Sequence, residues 1–307
     1  MRAHGLVALF SLSSLGFLLP SPARACSVCG CDPAAGTLGF DRPSSQSLRV
    51  GLEDRYLSKE SGSGDAAESE REDRLVLRAQ YSPVAPLVFQ LEVPWFVFKN
   101  HLNAQGLRDD SATGLGDLAV SARYELLRMG LEARHVVALT GTLKLPTGPN
   151  ARLLPGATEP DEHTQLGTGT WDGIAGLSYL WGLQPWTLYA NVSGRLNSAN
   201  SRGFRYGNAL FGTLGARRSF LESGRLIASL EAQVRNAGMD HRGDGTLDPD
   251  SGGVVGYGTG SVGYAVTNDL LFRVIAQVPV VTALNGVQSE HPVLYAALSY
   301  DFAFGGM

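Results

Sequence analysis

After its first 25 residues the chain lacks any apolar run approaching the ~20 residues that a membrane-spanning helix needs, which excludes a helical membrane protein. It lacks a basic cluster as well: 25 Lys and Arg stand against 29 Asp and Glu, a net charge of −4. An acidic chain with no run of Lys or Arg argues against nucleic acid as a partner. Cysteine is scarce, with three residues that all fall at Cys26, Cys29 and Cys31, so the body of the chain has no thiol for a disulfide. Catalytic signatures are missing too. There is no G-x-S-x-G and no phosphate-cradling glycine loop with lysine, and the six histidines form no H-x-x-x-H or H-E-x-x-H pair. An outer-membrane lipid hydrolase would need Ser and His on the lipid face of neighbouring strands, and the pattern assembles none. The sequence is therefore read as a non-enzyme.

What is present begins with an export signal. Met1 to Ala25 has a basic start at Arg2, an apolar stretch from Gly5 to Leu19, and a close at Pro20-Ser21-Pro22-Ala23-Arg24-Ala25 with an A-x-A cleavage pattern. The mature chain would start at Cys26 with CSVCGCDP. Three readings of these cysteines stay open: a local disulfide with one odd thiol, chelation of a soft metal such as Cu(I) or Zn(II) by Cys26, Cys29 and Cys31, or acylation of Cys26. Ala23-Arg24-Ala25 departs from the usual lipobox. Residues 26–46 are rich in Gly, Pro and Ser from Asp32 onward and read as a Cys-rich periplasmic arm or short plug.

From Ser47 the dominant signal is a period of two. In Gly114 to Leu127, Leu118, Val120, Ala122, Tyr124 and Leu126 alternate with Asp117, Ala119, Ser121, Arg123 and Glu125. A strand sends successive side chains to opposite faces, so one face is apolar and the other carries charge. Similar alternation recurs in eleven further segments up to Phe304 (the Gly-rich one at Gly252 to Tyr264 leaves its register ambiguous), making twelve candidate strands, an even number. Short connections near Ser82–Ala85, Arg128–Glu132, Trp181–Gln184, Leu221–Gly224 and Val266–Asn268 alternate with long polar ones at Ser58–Glu72, Lys99–Thr113, Pro146–Thr168, Asn197–Tyr206, Asn236–Ser251 and Val280–His291. That alternation marks an up-and-down outer-membrane barrel with periplasmic turns and longer outer loops. A mean hydropathy near zero fits, because a barrel hides its lipid face in alternation. Aromatic residues sort to the strand ends as two interfacial belts. Tyr81, Tyr124, Tyr179, Trp181, Trp186, Phe220, Tyr264, Phe302 and Phe304 lie at the short-turn end; Tyr56, Trp95, Phe96, Phe98 and Trp171 lie at the other.

The polar face predicts a wet lumen lined by Arg49, Arg74, Arg78, Glu92, Asp117, Arg123, Glu125, Lys144, Arg195, Arg217, Glu231, Arg235 and Arg273. A charge on the lipid face would cost ~2–4 kcal/mol near the midplane, which confines such residues to the interior. They either fill the lumen with salt-bridge ladders or line a conduit with a mild preference for anionic or polar solutes. Asp240 to Asp250, DHRGDGTLDPD, has the acidic rhythm of a calcium loop but carries Arg242 at the third position and Ser251 where a bidentate Glu belongs, so it reads as a solvated outer loop.

Three blocks, GLGDLAVSARYEL, LTGTLKLPTGPNA and HTQLGTGTWDGIAGLSY, between Gly114 and Tyr179, resemble the outer-membrane transporter family labelled "MetA-pathway of phenol degradation". The resemblance implies a channel-type barrel, with hydrophobic or aromatic compounds as a possible solute class. Its motifs look architectural, with Gly114, Gly116 and Asp117 starting one strand and Pro146, Thr147 and Gly148 closing another. It carries over no catalytic residue and does not cover the cysteine arm. The expectation is an all-β, up-and-down antiparallel transmembrane barrel over 47–304, in contact with outer-membrane lipid and small solutes and needing no cofactor. The alternative is a non-conducting structural barrel whose arm binds a soft metal or a periplasmic partner.

Overall fold

A computed structural model describes residues 43–304, apart from 65–66, 131–133, 155–157 and 221–223. The signal segment and Cys26, Cys29 and Cys31 lie outside the described residues. One antiparallel sheet holds every strand: β1 (Ser47–Ser61), β2 (Glu68–Val84), β3 (Leu87–Leu102), β4 (Arg108–Leu115), β5 (Ala119–Met129), β6 (His135–Lys144), β7 (Asp172–Leu183), β8 (Trp186–Leu196), β9 (Ala209–Phe220), β10 (Leu226–Ala237), β11 (Gly253–Ala265), β12 (Leu270–Leu284), β13 (Gln288–Glu290) and β14 (Val293–Ala303). β1 pairs with both β2 and β14, so the sheet closes on itself and leaves no edge.

The barrel has twelve staves. β4 and β5 both pair with β3 and form one stave broken at Gly116–Leu118. β13 and β14 both pair with β1 and form another, broken where Pro292 supplies no N–H to a ladder. The apolar members of each alternation point outward. Val120, Tyr124, Leu139, Leu177, Val192, Leu214, Leu230, Val274 and Leu298 are all exposed there, as a lipid-facing band requires. The nine aromatics expected at the short-turn end are exposed as well. Among them Trp186 and Phe220 flank the Arg218 guanidinium, 5.2 and 4.9 Å from the ring centroids, an arrangement suited to an interface that is apolar on one side and wet on the other.

Two expectations are corrected. Phe96 does not join the outer aromatic belt. It is buried inside, with Arg74 and Lys99 over its ring at 5.3 and 5.9 Å, because β3 changes register beside it. The polar stretches 58–72, 99–113 and 280–291 are also mostly strand rather than loop. β1, β2, β3 and β4 rise past the lipid, where both faces are wet and no apolar face remains to reveal the period. Cross-strand pairing holds this rim: Glu70 lies 3.1 Å from both Lys59 and Lys99. Burial opposes the Glu70 charge, but Lys59 and Lys99 outweigh it and hold the carboxyl down at about 2.

Candidate functional site

The interior is built from charges that alternation forces inward. All thirteen residues that the alternation assigns to the polar face are buried or half-buried. On β1 to β3, Glu53 accepts from Arg55 at 2.8 Å and from Arg78 at 2.7 Å. Arg78 also donates to Glu92 at 2.9 Å. Near the short-turn end Arg49 pairs with Asp301 at 2.7 Å, and on β5 Arg123 donates to Glu125 at 3.0 Å. On the far wall Tyr189 and Gln233 each donate to Glu231 at 2.6 Å, and Gln277 donates to Gln233 at 2.7 Å. Arg235 pairs with Glu290, which also accepts from Tyr257. These ladders satisfy groups whose burial alone would be costly.

The described parts of the stretch between β6 and β7, residues 145–154 and 158–171, fold back into the barrel. Three sequence features make them do so. Asp117, in the break between β4 and β5, accepts from Lys144 at 2.9 Å, from the Gly148 amide at 2.9 Å and from the Thr168 amide at 2.8 Å. Thr147 fills the gap in the ladder, donating from Oγ1 to the Gly116 carbonyl at 3.1 Å and accepting there from the Leu118 amide at 2.8 Å. Gly116, Gly148 and Gly167 let three backbones touch: a Cβ on Gly167 would fall 2.4 Å from the Gly148 oxygen. In this loop the 3-10 turn Glu162–Thr164 is capped by Asp161. Beyond it, Gln165 accepts at its carbonyl from Lys99 at 2.8 Å.

Neighbouring outer loops dock onto this one. Arg202 clamps Glu162, with its shorter bond at 2.7 Å, and Phe204 and Tyr206 pack edge-on against each other at 4.9 Å beside His163. Asp240, almost wholly buried, accepts from the Gly207 amide at 2.7 Å, and its own amide donates to Ser251 at 2.8 Å. The calcium-like stretch thus places its first carboxylate in a loop–loop contact.

Below the inward loop lies a lumenal cavity with about 2050 Å³ of empty space, its mouth included. Seven of the thirteen predicted residues line it: Arg74, Arg78, Glu92, Asp117, Arg123, Lys144 and Arg195. Arg49 and Arg273 lie against a smaller pocket near the short-turn end, while Glu125, Arg217, Glu231 and Arg235 line neither. Sequence reasoning missed Glu72 and Lys99, which it left in loops, and the loop residues Gln165 and Thr168. The GTG motif at 167–169 marked the place, but only the fold shows what it touches.

A closed twelve-stave barrel with an apolar outer band and a charged interior is an outer-membrane β-barrel. The family model described as "Putative MetA-pathway of phenol degradation" matches residues 75–280, about two thirds of the chain, and the protein belongs to that family. Among solved structures, the COG4313 outer membrane channel from Pseudomonas putida F1 shares the fold at a TM-score of 0.69 and 15% identity, covering 85% of this chain and 98% of that one. The translocator domain of autotransporter NalP from Neisseria meningitidis follows at a TM-score of 0.49 and 10% identity, covering 88% and 92%. No curated protein matches the sequence.

Proposed function

We propose that the barrel is an outer-membrane channel for small solutes, with a mild preference for anions that carry an apolar or aromatic part. The observation that carries this reading is the make-up of the cavity wall. Arg55, Arg74, Arg78, Lys99, Arg123, Lys144 and Arg195 face the cavity against only Glu72, Glu92 and Asp117. Their other partners Glu53, Glu70, Glu125 and Asp172 are not among the residues that line the cavity, which leaves its lining with an excess of cationic side chains. Between the charges lie Val76, Val88, Phe96, Ile174 and Phe211, an apolar complement for a ring or short chain. A low-dielectric wall with an excess of one sign of charge raises the local concentration of the opposite ion. The family's label and the channel title of the similar Pseudomonas structure support the same class.

The test is conductance of the purified full chain in a planar bilayer under a salt gradient. The expected result is discrete channel events with anions more permeant than cations, and a preference that falls when Arg74 and Arg123 are both changed to Gln. An absence of channel events would overturn the reading and favour a non-conducting barrel.

A further inference from the structure

Apart from the residues that line the cavity, three side chains from three separate segments converge at the loop end of the barrel. Glu68 opens β2, His101 lies one residue before the end of β3, and Asp161 caps the 3-10 turn of the inward loop. One ligand atom from each lies within 4.8 Å of the other two, and Nε2 of His101 is 3.1 Å from Oε2 of Glu68. We propose that Glu68, His101 and Asp161 form a binding site for a divalent first-row transition metal, of which Zn(II) is the type, and that the metal staples the inward loop to the barrel wall.

The chemistry of the donors selects the ion. Zn(II) takes imidazole nitrogen and carboxylate oxygen at about 2.0–2.2 Å in a tetrahedral shell, so two ligand atoms on one ion lie about 3.4 Å apart. The pair Glu68–His101 is already at 3.1 Å, and side-chain rotations that move the remaining atoms by about an ångström bring all three into reach. Ca(II) and Mg(II) build shells of oxygen, and the imidazole disfavours them. Three protein ligands leave a position for water. The carboxylates are already oriented, as metal ligands usually are. Ser61 donates to Oε1 of Glu68 at 2.9 Å, and the His163 amide donates to Oδ1 of Asp161 at 2.8 Å. One imidazole and two carboxylates that meet at one point are a donor set that a transition-metal dication takes. The lysines of the adjacent rim, Lys59 and Lys99, are paired with Glu70.

The position gives the site a consequence. Asp161 stands just before Gln165, and Gln165 to Thr168 line the cavity. A metal held by the wall residues Glu68 and His101 would fix the segment that lines the cavity. No motif announced it, because the ligands are 33 and 60 residues apart along the chain, at positions 68, 101 and 161.

The test uses the full chain in detergent with Cys26, Cys29 and Cys31 changed to Ser, so that thiols cannot contribute, and titrates Co(II) and then Zn(II). The expected result is one Co(II) per chain with a nitrogen–oxygen spectrum, displaced by Zn(II). His101→Gln, which keeps a hydrogen-bonding side chain, and Asp161→Asn should each weaken binding by about 100-fold or more, since loss of even an outer-shell partner costs 10–100-fold. A heat-modifiable gel shift confirms that each variant holds its barrel. No metal uptake, or uptake unchanged in either variant, overturns the site whatever the conductance shows. In bilayers, Zn(II) added on the loop side should quiet the current fluctuations of the parent and not those of His101→Gln. Binding without any change in the parent's current overturns the stapling role.

Discussion

Asp117 and Lys144 meet at 2.9 Å inside the barrel, and the inward loop hangs from that pair. Asp117 sits where β4 gives way to β5, and Lys144 is the last residue of β6, just before the loop begins. The same carboxylate takes amides from Gly148 near the loop's start and Thr168 near its end. Lys144 reaches on to Asp172 at 2.7 Å, and Asp172 holds Arg195 at 3.2 Å, so the hinge points of the loop share one charge network. A break in a strand that would otherwise leave backbone groups unpaired becomes the anchor for the element that shapes the lumen.

Asp117→Ala should therefore act first on the loop. Removing one partner of a buried ion pair leaves Lys144 with a weaker network, at a cost of about 3 kcal/mol. The expected outcome is a lower melting temperature for the heat-modifiable form and a larger, noisier single-channel current. Asp117→Asn keeps the shape but not the charge and should fall between the two. An unchanged current in Asp117→Ala would show that the loop is held elsewhere.

Gly167→Ala tests the steric half of the same anchor. Its Cβ would meet the Gly148 oxygen at 2.4 Å and the Gly148 carbon atoms at 2.5 and 2.6 Å, so the loop must lift away from the wall. A current increase like that of Asp117→Ala is expected. Gly141→Ala, whose Cβ meets nothing within 4 Å, should leave both current and stability unchanged. Equal effects of the two substitutions would remove the close-packing argument.

The contrast between wall and loop explains what was legible. Lipid on one side and charge on the other impose a period of two, so all twelve staves and the inward placement of Arg78, Asp117, Arg123 and Lys144 could be read from spacing. The same logic failed where lipid stops. β1 beyond Tyr56 and β2 before Asp73 carry Lys59, Glu70 and Glu72 inward and polar residues outward, and the pattern dissolves into what looks like loop. Phe96 was misplaced because a local register shift turned it inward. The contact of Gly116, Gly148 and Gly167 joins residues from three segments, and no local pattern encodes a meeting of that range.

Loop docking should depend on pH through Asp240. The residue is buried, one of its oxygens has no hydrogen-bond partner among the described residues, and burial pushes its carboxyl up to about 6 from 3.8. The Gly207 amide, His163 and Lys59 pull the other way without overcoming burial, and Asp248 adds to the rise. A raised carboxyl binds its proton more tightly when the loop is docked than when it is released. Docking therefore gains stability as pH falls through about 6 and keeps the full gain below 3.8. Hydrogen exchange at residues 205–208 and 238–241 should slow between pH 7.5 and 5 beyond the intrinsic pH effect. Asp240→Asn should flatten that dependence, and a flat profile in the parent would remove Asp240 as its cause.

The placement of the lipid face rests on register, and adjacent residues on β5 test it. Val120 is exposed on the outer face, while Ser121 faces the lumen and lies 2.8 Å from Thr142. Val120→Arg places a charge in the hydrocarbon at a cost of ~2–4 kcal/mol and should impair insertion, seen as loss of the heat-modifiable form. Ser121→Arg places the same charge in the cavity that Ser121 already lines, so the barrel should insert normally. The longer side chain should lower the conductance and raise the preference for anions. If the two variants insert equally well, or the order is reversed, β5 presents its other face to lipid. The lumen assignments of Asp117, Arg123 and Glu125 would then invert with it.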